Sequence, residues 1–271
     1  MGSLMTTSST TTQASTWSEI LQLVQDFVQE DWTQTWFFLD LDETLVRPSD
    51  PALDYGAICA YWDGFVNEQH GGPTAEPDHI EAVIASAVID TELIDAGEGS
   101  IEAVKSFQEK GAKAIGLTAT LTGPLPPYEQ LDVARCAQCR SLGLHFDQLL
   151  PGPRVWTHFQ SFHGQFPCYR EGILFANGAK EGSTKGQVLC QFLREVPCPL
   201  PRKIVFVDDT RTHVESVANE LAINFGQIQS LGIVYLQKKL RPLVATYDDF
   251  KEAWLPTWER ITLFEKSRKD T

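Results

Sequence analysis

Long apolar runs are missing from this chain. No stretch approaches the roughly 18 consecutive apolar residues of a membrane-spanning helix, and no basic segment leads into a hydrophobic stretch with a cleavage site. Both observations argue against a helical membrane anchor and a secretory signal. Positive charge is also scarce: 22 Lys and Arg stand against 36 Asp and Glu, for a net charge of −14 and a pI near 4.8. A surface for nucleic acid needs a basic stripe to neutralise phosphates, so the charge argues against that partner class. Cysteine is sparse and irregular, with six residues at positions 59, 136, 139, 168, 190 and 198, which is no disulfide framework. These absences set the expectation of a soluble, cytoplasmic protein with reduced thiols and no nucleic-acid partner. The oligomeric state is not legible. The start Met1-Gly2-Ser3-Leu4-Met5-Thr6 fits the myristoylation pattern, although a cloning remnant before Met5 explains it better.

What is present is enough apolar material, 42% of 271 residues, for one large core or one core plus a small accessory unit. The organising stretch is Trp36 to Val46. Trp36-Phe37-Phe38-Leu39 runs straight into Asp40-Leu41-Asp42-Glu43-Thr44, which reads as a buried strand ending in an acidic cup. In an open parallel sheet the carboxyl ends of strands are where ligands bind. Ile204-Val205-Phe206-Val207-Asp208-Asp209 repeats the theme late in the chain. Two strands ending in carboxylates point to a shared site more strongly than either alone.

The remaining chain alternates in the manner of an α/β protein. Residues 1–15 are Ser/Thr-rich with little to bury and are expected to be disordered. Thr16 and Glu19 form a capping box for a helix with Ile20, Val24, Phe27 and Val28 on its apolar face. After Val46, two helical stripes follow, Ile58 to Val66 and Ile80 to Val88, with Gly71-Gly72-Pro73 as a turn between them. A helix over Ile101 to Phe107 ends at Gly111, and Lys113 to Thr118 is a strand with Thr118 at its end. Tyr128 to Leu142 is helical in period and carries Cys136 and Cys139. A C-x-x-C can be half a zinc site, but no second pair of ligands follows at suitable spacing, so two buried thiols are expected. His158 and His163 fall in an irregular aromatic stretch and read as loop or packing residues. Ile173 to Ala176 is a short strand, and Ser183 or Thr184 caps a helix with Lys185 in its first turn. A lysine there opposes the helix dipole, which something anionic nearby would relieve. Ile233 to Leu236 is a further strand, and residues 247–268 form a helix pair or one helix broken at Pro256.

If Asp40, Asp42, Asp208 and Asp209 converge, the cluster calls for a cation, because two unit charges about 4 Å apart repel by roughly 4 kcal/mol at an effective dielectric near 20. Ligation by oxygen alone points to Mg²⁺ rather than zinc.

The hydrophobic run followed by Asp40-Leu41-Asp42-Glu43-Thr44, with Thr118, Lys185 and the Asp208-Asp209 pair in order behind it, resembles the four motifs of the haloacid dehalogenase-like superfamily, most of whose members are phosphohydrolases. The nearest overall likeness is to an uncharacterised family of that type from intracellular bacteria. The string Asp-Leu-Asp-Glu-Thr-Leu-Val is also similar to carboxy-terminal-domain phosphatases that act on phosphoproteins. The resemblance implies a three-layer Rossmann-like core with a mainly parallel sheet over 16–47 and 97–271, and a small helical cap over 48–96. It implies Asp40 as nucleophile, Asp42 as general acid and base, and Thr118 and Lys185 on the phosphoryl group, with Lys180 the competing lysine. Mg²⁺ would be held by Asp40, the Asp42 carbonyl, Asp208 and Asp209. Ala-Thr-Leu follows Thr118 where the uncharacterised family tends to carry Ala-Arg; Arg47, Arg211 or His213 are the alternatives for that contact. The implied substrate is a phosphorylated small molecule of modest size, with a phosphoprotein as runner-up. A phosphotransferase, or a catalytically idle binding module on the same fold, is the other reading.

Overall fold

The computed structural model describes residues 9–70 and 77–269. The start of the chain and the Gly71-Gly72-Pro73 turn lie outside them. In chain order the elements are β1 (Ser9–Ala14), α1 (Trp17–Val28), β2 (Thr35–Leu39), β3 (Val46–Pro48), α2 (Tyr55–His70), α3 (Pro77–Asp90), β4 (Leu93–Asp95), α4 (Ser100–Glu109) and β5 (Lys113–Thr118). They continue with α5 (Leu131–Ser141), β6 (Arg154–Val155), β7 (Cys168–Arg170), β8 (Ile173–Phe175), α6 (Lys185–Glu195), β9 (Lys203–Asp208), α7 (Arg211–Asn224), β10 (Gln229–Tyr235) and α8 (Tyr247–Lys269). The fold is α/β. An eight-stranded sheet in the order β1-β10-β9-β2-β5-β8-β7-β6 is parallel from β1 to β8 and turns antiparallel at the β8-β7-β6 edge. β3 and β4 form a separate antiparallel pair.

Every residue of β2 is buried because the strand sits in the middle of the sheet with helices on both faces. Its alternation sends Phe37 and Leu39 to one face, where Ile20 and Val24 of α1 and Val104 and Phe107 of α4 cover them. Trp36 and Phe38 go to the other, under Val188 and Phe192 of α6 and Val214 and Val217 of α7. Phe37 and Phe107 stack with ring centroids 4.0 Å apart. This is the three-layer arrangement expected from the chain, and β2, flanked by β5 on one side and β9 on the other, is its switch point.

Two expectations need correction. Residues 9–14, assigned to a disordered tail, form the edge strand β1, pairing in parallel with β10 from Ser9 opposite Ser230 to Ala14 opposite Tyr235. The segment has almost no apolar side chain to signal burial, yet its three threonines favour extended backbone, and β10 offers an unpaired edge. The C-terminal segment is one helix running through Pro256, and it packs away from the sheet against α2 and α3. There Trp62, Phe65, Phe250, Trp254 and Trp258 interlock edge to face, and the Trp254 indole N–H donates to the Ala52 carbonyl at 3.0 Å. Among the described residues no helix is long and apolar enough to cross a membrane.

Candidate active site

Parallel strands β2, β5 and β9 end side by side, so the residues that follow them meet. Asp40 leaves β2 with its backbone N–H donating to the Val207 carbonyl of β9 at 3.0 Å, which sets the acid beside Asp208. The chain then folds back tightly: Leu45 and Val46 both donate to the Leu41 carbonyl, and Glu43 takes a left-handed φ of 62°. This turn brings Thr44 under the site. Its hydroxyl lies 3.4 Å from Asp40 Oδ2 and accepts the Asp209 N–H at 3.1 Å, tying the two acidic strand ends together.

Lys185 occupies the centre. A reciprocal capping box between Thr184 and Gln187 starts α6 at this point. The buried ammonium donates to Asp40 Oδ1 at 2.6 Å and to Asp208 Oδ2 at 2.7 Å. The anions that a lysine at a helix N-terminus calls for are therefore these two carboxylates. Lys180 is not the central lysine; it pairs instead with Glu81 of α3. Asp208 also accepts the Thr210 N–H at 2.7 Å, and His213 Nδ1 lies 3.3 Å from its second oxygen. Asp209 pairs with Lys238, which follows β10.

Burial, and then the neighbouring Asp208 charge, push the Asp40 carboxyl up to about 6. Asp208 is equally buried, which acts in the same direction, but Lys185 and His213 outweigh that and hold it below the usual carboxylate range. Burial alone would lower the Lys185 ammonium; Asp208 and Asp40 reverse this and raise it. Among the described residues, oxygens of Asp40, Asp208 and Asp209 lie within 4.8 Å of one another in a group suited to a metal ion. The donors there are all hard oxygens, which fits a small divalent cation.

Asp42 points elsewhere with its side chain, which is not part of that group. One oxygen pairs with Arg135 of α5, a guanidinium with no exposed surface, and the other lies 3.4 Å from Thr120 Oγ1. Thr118 is buried at the end of β5, its hydroxyl 2.9 Å from that of Thr120 and accepting the Thr120 N–H. Of the alternatives for a further phosphate contact, His213 faces the site. Arg47 pairs with Asp54, and Arg211 with Glu215 on α7. Cys136 and Cys139 are buried under the sheet, and burial pushes the Cys139 thiol up to about 11, so they are packing residues as expected.

Arg135 and Lys238 escaped the sequence reading. Arg135 lies on a short helix whose period marked it only as polar, and Lys238 follows a strand that carries no acid. The signal that could have found Arg135 is its position between Leu131 and Cys136, one helical turn from residues that are plainly buried. Asp40, Asp42, Thr118, Lys185, Asp209, His213 and Lys238 line one cavity of about 410 Å³ between the strand ends and helices α2 and α3.

A family model described as "Protein of unknown function (DUF2608)" matches residues 13–255, a span that contains every residue of the site. No curated protein and no solved structure matches the chain.

Proposed function

The chain belongs to the DUF2608 family, and from its acidic strand-end site we propose that it is a Mg²⁺-dependent phosphomonoester hydrolase of the haloacid dehalogenase type, with α2 and α3 as a cap. One observation carries this reading: a buried lysine bridges the carboxylates that end two adjacent parallel strands, with a third carboxylate alongside. A lysine placed so can hold a phosphoryl oxygen while keeping Asp40 aligned for attack.

Asp40, Asp208 and Asp209 would hold Mg²⁺, with the Asp42 backbone carbonyl as a fourth protein ligand. The ion would neutralise phosphoryl oxygens as charge shifts onto them. Asp40 Oδ attacks phosphorus and the bond from phosphorus to the ester oxygen breaks, giving an aspartyl-phosphate. Asp42 delivers a proton to the departing oxygen, then takes one from the water that attacks phosphorus and frees both inorganic phosphate and Asp40. Thr118 and Lys185 donate to the phosphoryl oxygens throughout. The test is hydrolysis of a generic aryl phosphate with Mg²⁺ and with EDTA, by the wild type and Asp40→Asn. Turnover confined to wild type with Mg²⁺ is expected; equal rates in all four samples would sink the proposal.

The Arg135–Asp42 pair favours a second reading. That ion pair must be broken or carried through before Asp42 can give a proton to a leaving group. A module that binds phosphorylated ligands without turning them over could leave the pair intact. Absence of both turnover and beryllium-fluoride stabilisation would favour this alternative.

A further inference from the structure

Helix α3 carries apolar residues on two faces, and only one of them is fully buried. Ala82, Val83 and Ala87 are buried with Trp254 and Phe250 in the core shared with α2 and α8. The second face is the stripe Glu81, Ile84, Ala85 and Val88, at the i, i+3, i+4, i+7 spacing of one helix side; Ile84 and Ala85 touch the same core at their base, and the stripe lines the cavity that also holds Asp40. Leu53 and Ile58 extend this wall. All five aliphatic residues are half-buried, so they leave apolar surface on the wall of the cavity that also holds Asp40 and Lys185. Apolar area left on such a wall is a favourable contact awaiting a ligand.

Charge narrows the ligand further. Among the described residues lining the cavity, the lysines are Lys185 and Lys238, and both are committed to carboxylates. The wall glutamates are paired as well, Glu43 to Arg241 and Glu81 to Lys180, so these cations too are committed. A second anionic group on the ligand would meet, among the described residues, lysines and an arginine that are already paired to carboxylates. Sugar hydroxyls would find no side-chain partner on the stripe apart from the committed Glu81.

Resting on the hydrolase reading above, we infer that the substrates are phosphomonoesters whose alcohol part is uncharged and apolar, a short alkyl or aryl group seated against Ile84, Val88 and Ile58 while the phosphate sits at Asp40 and Lys185. Nucleotide polyphosphates, bisphosphates and acidic phosphopeptides are excluded by the same wall.

Two series of ligands test this on the full-length protein. In the first, dissociation constants of non-hydrolysable n-alkylphosphonates, methyl to octyl, are measured by calorimetry with Mg²⁺ present. Affinity is expected to rise by about three- to fourfold per methylene until the wall is covered, the factor for burying a methylene group. In the second, kcat/KM for n-alkyl phosphates, whose leaving groups have nearly constant basicity, should climb in parallel and exceed that for a hexose phosphate of equal size. Ile84→Ser with Val88→Ser should flatten the slope of both series. Val133→Ser, on the exposed side of α5, should leave it unchanged and so controls for non-specific apolar binding. Affinity independent of chain length, or a hexose phosphate preferred over alkyl esters, would overturn the inference while leaving the hydrolase reading intact. Chain-length-dependent binding without Mg²⁺-dependent phosphate release would uphold the apolar site and sink the hydrolase reading.

Discussion

At the residue scale the site is a balance of buried charges, and Asp40 sets its response to pH. Its carboxyl is raised from 3.8 to about 6, so folding favours the protonated form. Stability from this group is present below about 3.8 and is lost as pH rises through about 6. Asp208, lowered, has the opposite sign and gives way only below the ordinary carboxylate range, so Asp40 governs the window between. In EDTA the Tm of Asp40→Asn should therefore gain on that of the wild type as pH is taken from about 4 to about 7. Mg²⁺ needs the ionised carboxylate, so it should raise the wild-type Tm near neutrality and have little effect near pH 4. A Mg²⁺ shift that is the same at both pH values would contradict this. Lys185→Met removes the ammonium between Asp40 and Asp208 and leaves two buried carboxylates facing each other. Loss of one partner from such a pair costs about 3–5 kcal/mol. Denaturant unfolding in EDTA should show a loss of that order, partly recovered with Mg²⁺, together with loss of turnover.

At the element scale the placement of Lys185 depends on how closely α6 approaches α7. Gly186 makes that approach possible: a Cβ on it would lie 2.4 Å from the Ser216 carbonyl oxygen, a backbone atom that cannot turn aside. Gly186→Ala must push α6 outward, and the lysine one residue earlier moves with it. Overpacking of this kind typically costs about 1–3 kcal/mol. The expected result is a lower Tm with a disproportionate fall in kcat. An unchanged kcat would mean that the lysine position does not depend on this contact. That Lys185 stands in the first turn of a helix could be read from the sequence, because a cap, a lysine and an apolar face are local features. The need for the glycine is not a local feature, since the atom that excludes a side chain there belongs to another helix.

At the scale of the whole molecule, the sheet with its two helical faces and the α2-α3-α8 cluster have separate apolar interiors joined around the cavity. Trp254 is fully buried in the cluster, which shares no residue with the two cores that hold β2, β5 and β9. Trp254→Ala should remove about 3–5 kcal/mol of packing there. In hydrogen exchange, amides of 55–70, 77–90 and 247–269 should lose protection while β2, β5 and β9 keep theirs. Equal loss in the strands would mean that the cluster and the sheet unfold as one unit. Because the cluster backs the aliphatic wall, this variant should also bind long-chain alkylphosphonates less tightly.

The sequence alone determined the parts that are local in the chain. A run such as Trp36 to Leu39 cannot be solvated, so it names a central strand; an acid directly after it must emerge where that strand stops. Period and caps do the same for α1, α4 and α6. For these reasons Asp40, Asp208, Thr118 and Lys185 could be placed at strand ends and a helix start before any coordinate was known. The tertiary structure decided which of these groups touch. Arg135 and Asp42 are 93 residues apart, and their pairing depends on the angle at which α5 crosses the end of the sheet. Lys238 reaches Asp209, and α8 covers α2 and α3, for the same kind of reason: a contact between distant segments is fixed by the packing of whole elements. β1 shows the limit most plainly, because polar residues 9–13 become a strand through backbone hydrogen bonds to an open sheet edge, and side-chain pattern carries no record of that edge.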